Sequence, residues 1–129
     1  MAKGMIARTV KFEEIGAGHT TYINDPTNPL TNNDINKAVV LIADKTVGLG
    51  WNGADIIGIL KRVEDDGFVT VQDEGYKEDV PYSTEPAIGD RVVSDGTGKV
   101  KPAGSTSAIG RHSVVSKDTS TQKVILKLG

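Results

Sequence analysis

Two stretches of this chain spell the same succession of strand and turn signals, and that repetition limits the fold more than any other feature. Ile35-Asn36-Lys37-Ala38-Val39-Val40 lies over Ile88-Gly89-Asp90-Arg91-Val92-Val93, and at the same spacing Val47 falls on Val100. One residue of slippage sets Ile57-Gly58 over Ile109-Gly110 and Val63 over Val115. A slightly longer second hairpin then sets Val69 and Val71 over Val124 and Leu126. Each copy reads as a strand ending in paired valines, a tight turn, a short second strand, a loop, an Ile-Gly pair opening a third strand, and a closing strand that alternates.

The strand signals are local as well as repeated. Lys37–Ile42 is a continuous β-prone run, and Val124, Leu126 and Leu128 share one face of the last segment. Asp66-Gly67 and Asp95-Gly96 are hairpin dipeptides, because glycine supplies the positive φ that tight turns require. The expectation is an all-β chain built from two tandem units, about 35–75 and 88–129, which together form one β domain over 35–129. Residues 1–34 stand apart as an N-terminal arm with a first strand. Lys3 to Phe12 has strand character, while Gly16-Ala17-Gly18 and Asn24-Asp25-Pro26-Thr27-Asn28-Pro29 are loop or arm material.

With 129 residues the chain makes one ordinary domain or two small β modules that share a core. No apolar run approaches the roughly 18 residues that a membrane-spanning helix needs. The start carries positive charges with no apolar stretch behind them, so no secretory signal is expected. The absence of cysteine removes disulfides, thiolate metal sites and a cysteine nucleophile. Net charge is only −2, but residues 54–90 hold three basic and ten acidic side chains, and residues 91–129 hold seven basic and two acidic. Such polarity favours contacts between copies or with a charged partner surface.

Several motifs invite chemistry and fail on context. Gly48-Leu49-Gly50-Trp51-Asn52-Gly53 has dinucleotide-binding spacing. Asp44–Val47 separates it from the preceding strand, however, and no helical pattern follows residue 65 to build the further βαβ units. Glycine turns around a packed tryptophan account for it better, which favours Trp51 as a core residue over an interface anchor. Ala54–Asp66 could be a helix with Gly58 inside it, at a cost of about 1 kcal/mol against alanine; the repeat favours a strand starting at Ile56. His19 and His112 are the only histidines, and no carboxylate spacing completes a zinc site around them. No nucleophile-elbow pattern supports a catalytic triad. The carboxylates from Glu64 to Asp79 flank turns without EF-hand spacing. No cofactor, metal or catalytic residue is therefore expected. A nucleic-acid-binding barrel of OB or SH3-like type is the main alternative, but the basic residues 91–129 contain no Phe, Tyr or Trp for bases to stack on.

Ala87-Ile88-Gly89-Asp90-Arg91-Val92-Val93, then Asp95-Gly96-Thr97-Gly98-Lys99-Val100, Ala108-Ile109-Gly110 and Lys123-Val124-Ile125-Leu126, resemble the head decoration, or cement, proteins of tailed phages, including lambda-type head decoration proteins. The likeness covers residues 87–128 best and, through the repeat, residues 35–72 more loosely. It implies a small β-barrel or β-tulip-like domain that binds the outside of an icosahedral capsid and stabilises the shell, with no enzymatic role. The implied partner is the phage major capsid protein, with self-association, a trimer included, and with neither nucleic acid nor membrane as a target. The implied location is the virion exterior, after synthesis in the host cytoplasm. Another tail or virion structural β protein is a second option. In such proteins the N-terminal segment commonly touches the shell, which would make Ile6, Arg8, Val10 and Phe12, on one face of a strand, contact residues, with Tyr22 beside them.

Overall fold

A computed structural model describes residues 17–104 and 112–129. The regular elements of the described chain are nearly all strands: β1 (Gly18–Asn24), β2 (Ala38–Ala43), β3 (Thr46–Gly48), β4 (Gly58–Val63), β5 (Phe68–Pro81), β6 (Arg91–Ser94), β7 (Val100–Pro102), β8 (His112–Asp118) and β9 (Lys123–Leu128). A single 3₁₀ turn at Asn32–Asp34 precedes β2, capped by Thr31. The all-β expectation holds, and β1, from the stretch 1–34 expected to stand apart as an arm, is one of the sheet strands.

The strands run in the order β1-β3-β2-β4-β5, and β1 also pairs with β5, which closes a five-stranded barrel. The order then continues β5-β9-β8-β6-β7. The second set repeats the first: β3-β2-β4-β5 and β7-β6-β8-β9 have the same pairings in the same senses. Its ends meet at one parallel bridge between Tyr82 and Val100, where the first barrel has the parallel pairing of β1 with β3. Nine strands thus serve two barrels because β5 belongs to both. Through Glu74 it pairs with β1, and from Gly75 onward it pairs with β9. At the changeover Gly75 has φ 87°. The Gln72 side-chain amide donates to the carbonyls of Glu74 and Tyr76 at 3.1 and 2.8 Å, pinning the bend.

Register shows how close the repeat is. Leu41 pairs with Val47 as Ser94 pairs with Val100, and Leu60 pairs with Val71 as Val114 pairs with Leu126. Both third strands carry a bulge at the same place, between Leu60 and Arg62 and between Val114 and Ser116. Asn36 (φ 77°) and Gly89 (φ 91°) hold the same left-handed turn, which asparagine enters more readily than most residues. One part of the sequence alignment is corrected. Val39 pairs with Gly58 and Val92 with His112, so His112 and not Gly110 stands where Gly58 does; Val115 falls on the bulge, and Lys117 takes the place of Val63. Glycines and valines are too common in β chains to anchor a register across a loop. The third strand of the first unit also begins at Gly58 and not at Ile56, and no helix forms over 54–66.

Two cores follow from the two barrels. Leu30, Val39, Val47, Leu60, Val69 and Val71 fill the first. Val80, Tyr82, Val92, Val100, Val114, Val124, Leu126 and Leu128 fill the second, joined by Ala38, Ile56 and Ile59 from the outer side of the first unit. Strand alternation therefore directs Leu60 into one barrel and Ile59 into the other. Their counterparts on the second unit, Arg91 for Ala38 and Ser113 for Ile59, are polar.

Three turn carboxylates tie the loops down. Partial burial would raise the pKa of Asp34, but hydrogen bonds from Lys37 (2.9 Å) and Thr31 N–H (2.8 Å) outweigh it and hold it below the ordinary value. Burial acts the same way on Asp95 and is outweighed by Thr97, whose N–H and hydroxyl both donate at 2.8 Å, with further help from Ser83 and Lys99. Asp118 is lowered by Ser120, hydroxyl first and N–H second. A depressed folded-state pKa contributes stability above the unfolded value, near 3.9, and loses it as pH falls through the folded value. The thermal midpoint should accordingly fall between about pH 5 and pH 2, and Asp95→Asn should reduce the size of that fall in a pH series of melting curves.

Candidate functional site

Of the residues singled out in the sequence, Ile6, Arg8, Val10 and Phe12 lie outside the described residues. Tyr22 sits in β1 with its ring half-buried against the first core. Alternation along β1 turns its neighbour Ile23 outward, 40 % exposed, directly across from Phe68, 42 % exposed, on β5. The two form an apolar cross-strand pair on the outside of the first barrel.

Trp51 is not a core residue. It is 59 % exposed. The cause is the turn before it: Gly50 has φ 73°, and a Cβ there would overlap Val40, so the backbone lies directly on β2 and the indole is turned away from the interior. Ala54 and Ile56 take the buried positions of this loop instead. Beside Trp51, Leu41 on β2 is 49 % exposed. Together with Val40, Asp55, Ile56 and Ile57 they line an open groove of about 230 Å³. Trp51 and Leu41 are thus two apolar side chains exposed at one groove.

Both histidines line a second, more polar hollow of about 480 Å³ with Gly18, Thr20, Asp73 and Glu74. Its chemistry is structural. His112 is buried, and its Nδ1 accepts the Gly129 N–H at 3.0 Å, so the proton rides on Nε2, which donates to the Ile56 carbonyl at 2.9 Å. The Thr20 hydroxyl donates to Asp73 at 2.6 Å. Among the described residues, no group of three or more His, Cys, Asp or Glu side chains is placed to hold a metal ion.

Exposed charge leans acidic on the first barrel, where Asp65, Asp66 and Glu74 stand beside Lys61 and Arg62, and is mixed on the second, where Lys99, Lys123 and Lys127 stand beside Asp79, Glu85 and Asp118. The chain matches no protein-family model and no curated protein.

Proposed function

We propose that this protein is a structural virion component that binds the outside of an icosahedral phage capsid and strengthens the shell, acting by contact and not by catalysis. The observation that most supports the reading is the pair of barrels fused through β5, with the apolar side chains of Ile23, Leu41, Trp51 and Phe68 exposed on the first. A rigid body with separated contact surfaces suits bridging of neighbouring shell subunits. Many copies, each with a modest interface, make a lattice harder to open because the contacts act together. The sequence likeness of residues 87–128 to head decoration proteins points the same way, with the major capsid protein as partner and self-association, a trimer included, as a further contact.

Co-sedimentation of the purified protein with emptied, expanded capsids from its source tests the reading, with DNA as a parallel target. Saturable binding to shells together with added heat resistance is the expected result. Binding to DNA alone, weakening steeply with salt, would overturn it in favour of a nucleic-acid-binding barrel. Deleting residues 2–12 is expected to abolish shell binding and leave the melting temperature of the barrels unchanged. Undiminished binding of that truncated protein would remove the N-terminal segment from the interface.

A further inference from the structure

Two strands hold the same place in the two barrels, and among the described residues the outer edge of only one of them is filled. In β6, the Ser94 N–H donates to the Ala54 carbonyl at 2.9 Å, and the Ser94 carbonyl accepts the Gly53 N–H at 2.8 Å. Asp95 adds an antiparallel bridge to Asn52. The filler is therefore a short extended segment, Asn52–Ala54, that comes from outside the second barrel and runs antiparallel to its edge. Gly53 takes φ 90° to do so, and Ala54, whose carbonyl meets the strand, is small and buried.

Leu41 is the counterpart of Ser94 in β2, by the shared pairing with Val47 and Val100. On the side away from β3, β2 is paired with β4 only at Ala38 and Val39, and the Val39 carbonyl accepts the Ile57 N–H at 2.9 Å. Backbone groups of alternate residues point to the same strand edge. The N–H and C=O of Leu41 are thus directed to the edge where β4 has already ended, into the groove bordered by Leu41 and Trp51.

We propose that the Leu41 edge of β2 is a strand-docking site for an extended segment of a partner protein. The segment runs antiparallel to β2, with a glycine or asparagine that accepts positive φ followed by a small residue facing Leu41, and an apolar side chain against Trp51. The occupied edge in the same molecule supplies both the geometry and the composition, and addition of a strand to an open edge is a general mode of peptide recognition. A second copy of this chain fits less well. Repeating the internal stacking would press Arg91 and Ser113 into a partner where Ala38 and Ile59 pack now, burying a charge. A two-fold pairing of β2 with itself about Leu41 would drive the partner strand into Ile57. The site does not depend on the partner being a shell protein, so this inference and the shell reading can fail separately.

The test uses the full chain, isotope-labelled, titrated with a capped synthetic peptide of the Leu49–Asp55 sequence, the segment that fills the other edge. At about ten times the dissociation constant, amide exchange at Leu41 should slow about tenfold, because only the free fraction exchanges, and the Trp51 indole signal should shift. Leu41→Pro removes the edge N–H at a position where a strand edge admits proline; it is expected to keep the fold and lose the peptide. Trp51→Ala is expected to weaken binding severalfold and serves as the second variant should Leu41→Pro fail to fold. Perturbation confined to Ser94 and its neighbours, or no change at Leu41 up to the solubility limit of the peptide, would overturn the proposal.

Discussion

Replacing Ile59 with alanine will lower stability by about 2–5 kcal/mol, and both barrels will still unfold in one transition. Ile59 is fully buried, yet it does not fill the barrel whose wall it helps to form; it packs into the core of the other. The cavity left by the missing methylene and methyl groups would open at the seam between the units. Leu60→Ala, one residue further on and directed into the first core, should cost a comparable amount. The outcome that matters is their shared midpoint. Since β5 is a wall of both barrels, neither can melt and leave its neighbour with a complete sheet. Urea unfolding followed at amides of each barrel by NMR would show coincident curves for both variants. Two separated transitions would show that the barrels are independent domains.

The second large effect is expected at His112. His112→Phe keeps a ring of similar size but leaves the Ile56 carbonyl and the Gly129 N–H without their partner. The buried Ile56 carbonyl so orphaned costs about 1–3 kcal/mol, the Gly129 N–H at the exposed C-terminal residue adds little, and a total of about 1–3 kcal/mol is expected from equilibrium denaturation. His19→Ala provides the contrast. Its side chain is exposed at the rim of the same hollow, and the change should stay within about 0.5 kcal/mol. Equal losses from the two substitutions would mean that the ring of His112 is not held by its hydrogen bonds.

Much of this fold is readable from the order of valines, glycines and hairpin dipeptides, since strand alternation and positive-φ turns leave a strong local signal. Val47 and Val100, or Val71 and Leu126, could be matched because paired inward residues recur at a fixed rhythm. Other features carry no such signal. The third-strand register slipped because Gly110 looks like Gly58, while the true counterpart, His112, differs from it in size and polarity. β1 was passed over: Thr20, Thr21, Tyr22 and Ile23 are all β-prone, but no second copy of them exists, because the C-terminal half of β5 does their work in the second barrel. The Gly48-Leu49-Gly50 turn before Trp51 favours a core tryptophan when the sequence is read alone. Its exposure depends on a steric fact, the closeness of Gly50 to Val40 across two strands, which no local pattern reports. The edge at Leu41 is a tertiary property of the same kind, since β4 begins only at Gly58 and pairs with β2 no further than Val39.

The continuous run of β5 through both barrels also decides how the molecule carries a mechanical load. Tension that draws the barrels apart travels along one covalent strand, and on each side of the changeover that strand is bonded lengthwise to neighbours, β1 and β4 in one barrel and β9 in the other. Separating them means sliding β5 past those neighbours, with the rows of hydrogen bonds strained together and not opened one after another. A linker between two domains would yield first and absorb the pull. Here the connection is itself a strand paired in both barrels, so displacement of whatever holds one barrel is passed to the other with little slack.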